Sequence, residues 1–168
     1  MRVLAAIGVL AILAALGAGV CLLGGYFSVA ATYDEPRVVK WALQEVREIS
    51  VRAQARGMAA RPVDDPALAR RGAVAFLARG CANCHGAPGV EWAKFSEGLN
   101  PGPADLGEIS KEREAREIAW VVMNGIRMTG MPGFAAAGMT EDEAWAIAAF
   151  VKKLPGVSEA EFREWTGK

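Results

Sequence analysis

Cys81-Ala82-Asn83-Cys84-His85 is the stretch on which the reading of this chain turns, because it holds two of the three cysteines and the one histidine among 168 residues. Two thiols three positions apart can reach the two vinyl groups of one porphyrin, and the adjacent imidazole can then approach the iron from one face. Cys-x-x-Cys-His is the form of c-type haem attachment. Three other readings compete with it. A zinc centre needs four protein ligands, or three and a water, yet the soluble part holds no further Cys or His. A thioredoxin-like dithiol belongs to a sheet-containing fold, and no stretch of this sequence alternates with a period of two. A chance match would leave residues 86–109, rich in Gly and Pro, as a loop too long for a compact domain with nothing beneath it.

Working outward, the segments on either side read as helices, so the expected fold is all-α. Upstream, Asp64 or Asp65 caps, Pro66 takes the first helical position, and Leu68, Ala69, Gly72, Ala73, Phe76 and Leu77 form an apolar stripe that ends at Gly80. Downstream, Ser110 opens a second helix with Ile118, Val121 and Val122 on its apolar face and Gly125 near its end. Thr140-Glu141-Asp142-Glu143 is a capping box before Ala144, Ile147, Ala148 and Val151, and Ser158-Glu159-Ala160-Glu161 opens a short terminal helix.

With His85 on one side of an iron, the single histidine excludes a second imidazole. Met131 stands between Gly130 and Pro132 in a loop, where the flanks take the backbone out of helix and let it pass close to a flat macrocycle. It is the expected sixth ligand, with Met128 the alternative; either could instead be a core methionine filling a gap.

From Val3 to Tyr33 no side chain is charged, and about 20 apolar residues suffice to cross a bilayer. The run is about twice as long as a secretory h-region of 7–15 residues, which predicts an uncleaved signal anchor over residues 1–33, although Ser28-Val29-Ala30 offers small residues at which a peptidase could cut. Cys21 within it reads as a membrane-buried thiol. Residues 34–63 then read as an amphipathic juxtamembrane helix and linker: Val38, Trp41, Ala42, Val46, Ile49 and Ala53 recur at helical spacing, while Lys40, Arg47, Arg52 and Arg56 form a basic face for lipid headgroups, a partner subunit or solvent. Residues 64–168 form the haem-carrying domain. The whole chain has 19 basic and 19 acidic residues, which removes any global argument for nucleic acid as a partner. Residues 62–168 carry 12 basic against 15 acidic side chains and residues 32–61 carry 6 against 4, a weakly acidic head on a basic stalk.

These motifs resemble the monohaem class I cytochromes c over about residues 65–155. Gly72-Ala73-Val74-Ala75-Phe76 resembles the family's Gly-x-x-x-aromatic pattern in its first helix, and Ala146 to Leu154 resembles its last helix. In that family the glycine lets the two helices cross closely, so the resemblance implies structural roles for Gly72, Phe76 and Phe150. Met131-Pro132 resembles the sixth-ligand loop. Gly102-Pro103-Ala104-Asp105-Leu106 resembles the segment whose proline carbonyl accepts the proximal histidine's N–H, which points to Pro103, with one residue more before the leucine than the family has. The resemblance implies one covalent haem c held by Cys81 and Cys84, His85 and Met131 on the iron, and electron transfer rather than catalysis. The anchor and basic stalk look like those of membrane-tethered bacterial cytochromes. Haem is attached to such proteins outside the cytoplasm, which implies a single pass through the bacterial inner membrane with the haem domain in the periplasm. Expected partners are membrane lipid and redox proteins, a dehydrogenase or quinol-oxidising complex on one side and a terminal acceptor on the other, with the chain as a subunit or a shuttle. The competing expectation is a haem enzyme or a gas or redox sensor with a labile Met ligand, though a peroxidase would need distal acid-base groups and there is no second histidine.

Overall fold

The computed structural model describes residues 2–26 and 28–167; Met1, Phe27 and Lys168, at the ends of the chain and within the expected anchor, lie outside the described residues. The described residues form α-helices and short 3₁₀ turns with no strand, the all-α class expected. Contacts divide the chain into two compact units, residues 1–34 and 35–168.

The first unit is built on α1, Arg2–Leu23. At about 1.5 Å per residue it is about 33 Å long, enough for a bilayer core of about 30 Å, and its side chains are exposed throughout almost its whole length. It is a helix long and apolar enough for a membrane span or signal anchor.

The second unit contains α2 (Arg37–Ala55), α3 (Pro66–Ala78), α4 (Ala82–His85), α5 (Leu106–Glu112), α6 (Ala115–Asn124), α7 (Glu141–Lys153) and α8 (Glu159–Thr166). Local chemistry starts the long helices where the caps stand. Asp65 accepts from the Ala67 N–H at 2.8 Å with Pro66 at the first position, Thr140 accepts from Glu143 N–H at 3.2 Å, and Ser158 accepts from Glu161 N–H at 3.2 Å. The centre of the core is the crossing of α3 on α7. A Cβ on Gly72 would stand 2.5 Å from the Ala146 carbonyl carbon and 2.9 Å from Phe150 Cβ, so the helices meet at a distance open only to glycine. Phe76 and Phe150 meet edge to face there, centroids 5.3 Å apart, and Phe150 stacks on Phe162 of α8 at 5.6 Å.

One expectation about the helices needs correction. The helix expected from Ser110 is two helices. α5 begins earlier, at Leu106, because Asp105 accepts from Gly107 N–H at 2.7 Å. The backbone turns extended at Arg113, and Glu114 and Glu117 form a capping box that opens α6. Lys152 of α7 holds the break by donating to the Arg113 carbonyl at 3.0 Å and to that of Ser110.

α2 packs on α6. Val51 and Ala55 are its buried residues, and its Glu48 pairs at 2.9 Å with Arg113, which stands in the break before α6, both side chains largely covered. The stripe read from the sequence, Val38 to Ala53, is exposed on its other side. The linker that follows is held as well: the Arg61 guanidinium lies 5.8 Å from the Trp145 ring centroid and pairs with Glu141 at 2.9 Å and with Asp142.

Candidate functional site

Gly80 leaves α3 with φ +76°, and Cys81 starts the single turn of α4 that carries Ala82 to His85. The two cysteines therefore sit on one turn beside the end of α3, and neither is in a disulfide. Cys81 is buried, and burial pushes its thiol up to about 11. Gly86, with φ +67°, ends the turn, and the chain folds back so that Ala93 N–H donates to the Asn83 carbonyl at 2.8 Å.

Cys84, His85 and Pro103 line a cavity of about 950 Å³ together with Val90, Trp92, Ala104, Leu106 and Leu154. That volume lies at the upper end of the roughly 300–1,000 Å³ typical of cofactor sites. The His85 Nδ1–H donates to the Ala104 carbonyl at 3.0 Å. The carbonyl that holds the imidazole thus belongs to Ala104, not Pro103; the additional residue before Leu106 shifts the acceptor one position along, while Pro103 contributes to the cavity wall. Burial lowers the His85 pKa, with the Ala104 carbonyl opposing. With its Nδ1 proton committed to that carbonyl, the ring leaves Nε2 as the nitrogen available to a metal. A backbone partner of this kind fixes the tautomer and orientation of a ligating imidazole and raises its basicity.

Met131 lies outside this cavity lining, half-buried against the core. Its loop is held by backbone contacts: a Cβ on Gly125 would stand 2.5 Å from Gly133 N and 2.6 Å from the Pro132 carbonyl carbon. Ile126 N–H donates to the Met131 carbonyl at 3.1 Å, and Met131 N–H donates to Thr129 Oγ1 at 3.1 Å. Met128, by contrast, is 90% exposed with φ +59°.

Sequence reasoning passed over Trp92, whose indole N–H donates to Glu97 at 3.4 Å on the cavity wall; an aromatic in a Gly/Pro-rich loop shortly after the cysteine motif was the available signal. It also passed over Arg79, which makes paired 2.7 Å bonds to Glu143 and donates to the Ala137 carbonyl at 3.2 Å. Arg79 thereby ties the end of α3, two residues before Cys81, to α7 and to the turn after the Met131 loop. No short sequence pattern announces a contact across 64 positions.

The free thiols, an imidazole held through Nδ1 with its other nitrogen left for a metal, and a cavity of mixed apolar and polar lining beside them fit a covalently held haem. Fold and site together define a class I monohaem c-type cytochrome. The chain belongs to the family described as cytochrome c oxidase, cbb3-type, subunit III, whose sequence model matches residues 67–151. That span runs from the first turn of α3 almost to the end of α7 and includes the cysteine motif. No curated protein and no solved structure matches the chain.

Proposed function

We propose that this chain is a membrane-anchored electron carrier of the bacterial periplasm, a subunit that passes electrons from a dehydrogenase or quinol-oxidising complex toward a terminal acceptor. The observation that carries the reading is His85, fixed through Nδ1 to the Ala104 carbonyl beside the cavity and the two free thiols. Bound haem supplies a one-electron ferrous/ferric couple, and Met/His ligation raises its potential relative to other pairings. Cys81 and Cys84 would hold the group covalently. His85 would offer Nε2 to the iron, with the Ala104 carbonyl holding the ring through Nδ1. Met131 would supply the second protein ligand to the iron, a reading supported by its half-buried place in a hydrogen-bonded loop, whereas Met128 is exposed to solvent. Val90, Trp92, Leu106 and Leu154 supply apolar side chains to the cavity wall, beside the carboxylates of Glu91, Glu97, Asp105 and Glu159. α1 anchors the protein in the inner membrane by a single pass.

Carbon monoxide tests the assignment. The unmodified ferrous protein should not bind it. Met131→Ala should bind it and lose the weak long-wavelength charge-transfer band of the ferric protein, while Met128→Ala should do neither. The reverse pattern moves the ligand to Met128, and binding by the unmodified protein favours the sensor or enzyme reading.

A further inference from the structure

Helix α2 shows its packing to the protein and its apolar stripe to the outside. At 3.6 residues per turn, Val38, Ala42, Val46, Ile49 and Ala53 fall within a sector of about 80°, and the valines and isoleucine are 64–67% exposed. Val51 and Ala55, which are buried, lie on the opposite side, next to the Arg113–Glu48 pair. The stripe therefore cannot turn inward without unpacking α2 from α6.

We propose that this stripe inserts into the lipid surface of the membrane that α1 enters, so that α2 lies in the interface and holds the haem domain at a fixed attitude above the bilayer. Two observations select lipid as the occupant. Only thirteen residues, 24 to 36, separate α1 from α2; fully extended they reach under about 50 Å, so a bilayer entered by α1 is always within range. The stretch from Arg37 to Arg56 also carries five basic and two acidic residues, and one of the acidic pair, Glu48, is engaged by Arg113 and Arg52. With Trp41 on one flank of the stripe and Val39 and Leu43 on the other also exposed, a broad apolar face with a basic excess beside it is the composition of helices that lie on anionic membranes. Because α2 is packed on α6, a helix set in the interface also sets the orientation of the domain that carries His85. The tether then acts as a rigid mount and not as a swinging stalk.

The inference rests on α1 being a membrane span, and the test separates the two. In the full-length holoprotein with Cys21→Ser, a single environment-sensitive fluorophore is placed by Ile49→Cys or, as a control on the exposed polar side, by Gln54→Cys. The proteins are reconstituted at less than one copy per vesicle into phosphatidylcholine/phosphatidylglycerol liposomes with brominated acyl chains. The label at 49 should be blue-shifted and quenched at least twofold more than the label at 54. Carbonate extraction of the same vesicles reports on α1. Retention with equal, aqueous signals at 49 and 54 overturns the interfacial helix and leaves the anchor standing, whereas extraction overturns both. A blue shift at 49 without bromine quenching, seen only when several copies share a vesicle, overturns lipid in favour of a second copy.

Discussion

Replacing Gly72 by alanine tests the helix crossing on which the haem-bearing turn is mounted. The new Cβ would lie 2.5 Å from the carbonyl carbon of Ala146 and 2.9 Å from Phe150 Cβ, against ordinary contacts of about 3.5–4.0 Å. The obstructing atoms are mainly helix backbone, so relief requires α3 and α7 to separate by on the order of 1 Å, which also loosens the Phe76–Phe150 contact. Overpacking of this kind costs about 1–3 kcal/mol, and a rigid neighbour places it at the top of that range. Alanine recovers about 0.5–1 kcal/mol of helix propensity. The net loss is about 2 kcal/mol, or a fall in midpoint of roughly 5–10 °C for a domain of this size. Thermal unfolding of the detergent-solubilised holoprotein, followed in the Soret region, measures it, with Gly156→Ala as control because its Cβ would meet open space. A Gly72→Ala protein as stable as the unmodified one would refute the close-crossing argument.

Cys81→Ser with Cys84→Ser should leave haem extractable by acid-acetone or abolish maturation, and non-extractable haem in the double variant would contradict the attachment assignment. The Arg79 guanidinium holds the Glu143 carboxyl below its ordinary 4.5, so the pair's contribution to stability is complete above that value and is lost as pH falls through the lower folded one. Glu143→Gln should accordingly flatten the acid limb of stability against pH and lower stability near neutrality, which denaturant titrations at pH 3, 5 and 7 would detect. A soluble fragment beginning at Glu35 should be more stable than one beginning at Pro62 by about 3 kcal/mol, the burial of Val51 and Ala55 against α6; equal denaturation midpoints would show that α2 contributes nothing to the domain.

What was legible in the sequence was what residues settle among themselves nearby. Asp65, Thr140 and Ser158 each bond an N–H two or three positions ahead, so the starts of α3, α7 and α8 could be read directly. The break between α5 and α6 could not, because Lys152, about forty positions away, supplies donors to the carbonyls it frees. The acceptor for His85 was placed within one residue, and the remaining step depended on how the loop closes rather than on residue type. For α2 the periodicity correctly identified which residues share a face. It carried no information on what covers that face; α2 packs on α6, and its buried residues Val51 and Ala55 and the Glu48–Arg113 pair lie on the other side.

The two halves of the haem-carrying unit rest on different kinds of information. The large fully buried side chains, Trp145, Ile147, Phe150, Val151 and Phe162, all belong to α7 and α8, where helical spacing and a glycine opposite them specify the packing. Across the cavity, residues 86–105 bury only Gly86 and Ser96, and that wall is held by loop hydrogen bonds such as Ala93 to Asn83. Such a segment has too little apolar burial to specify its own conformation. Its reading depends on the five residues from Cys81 to His85, which state chemically what the wall encloses and so account for a loop that packing alone would not support.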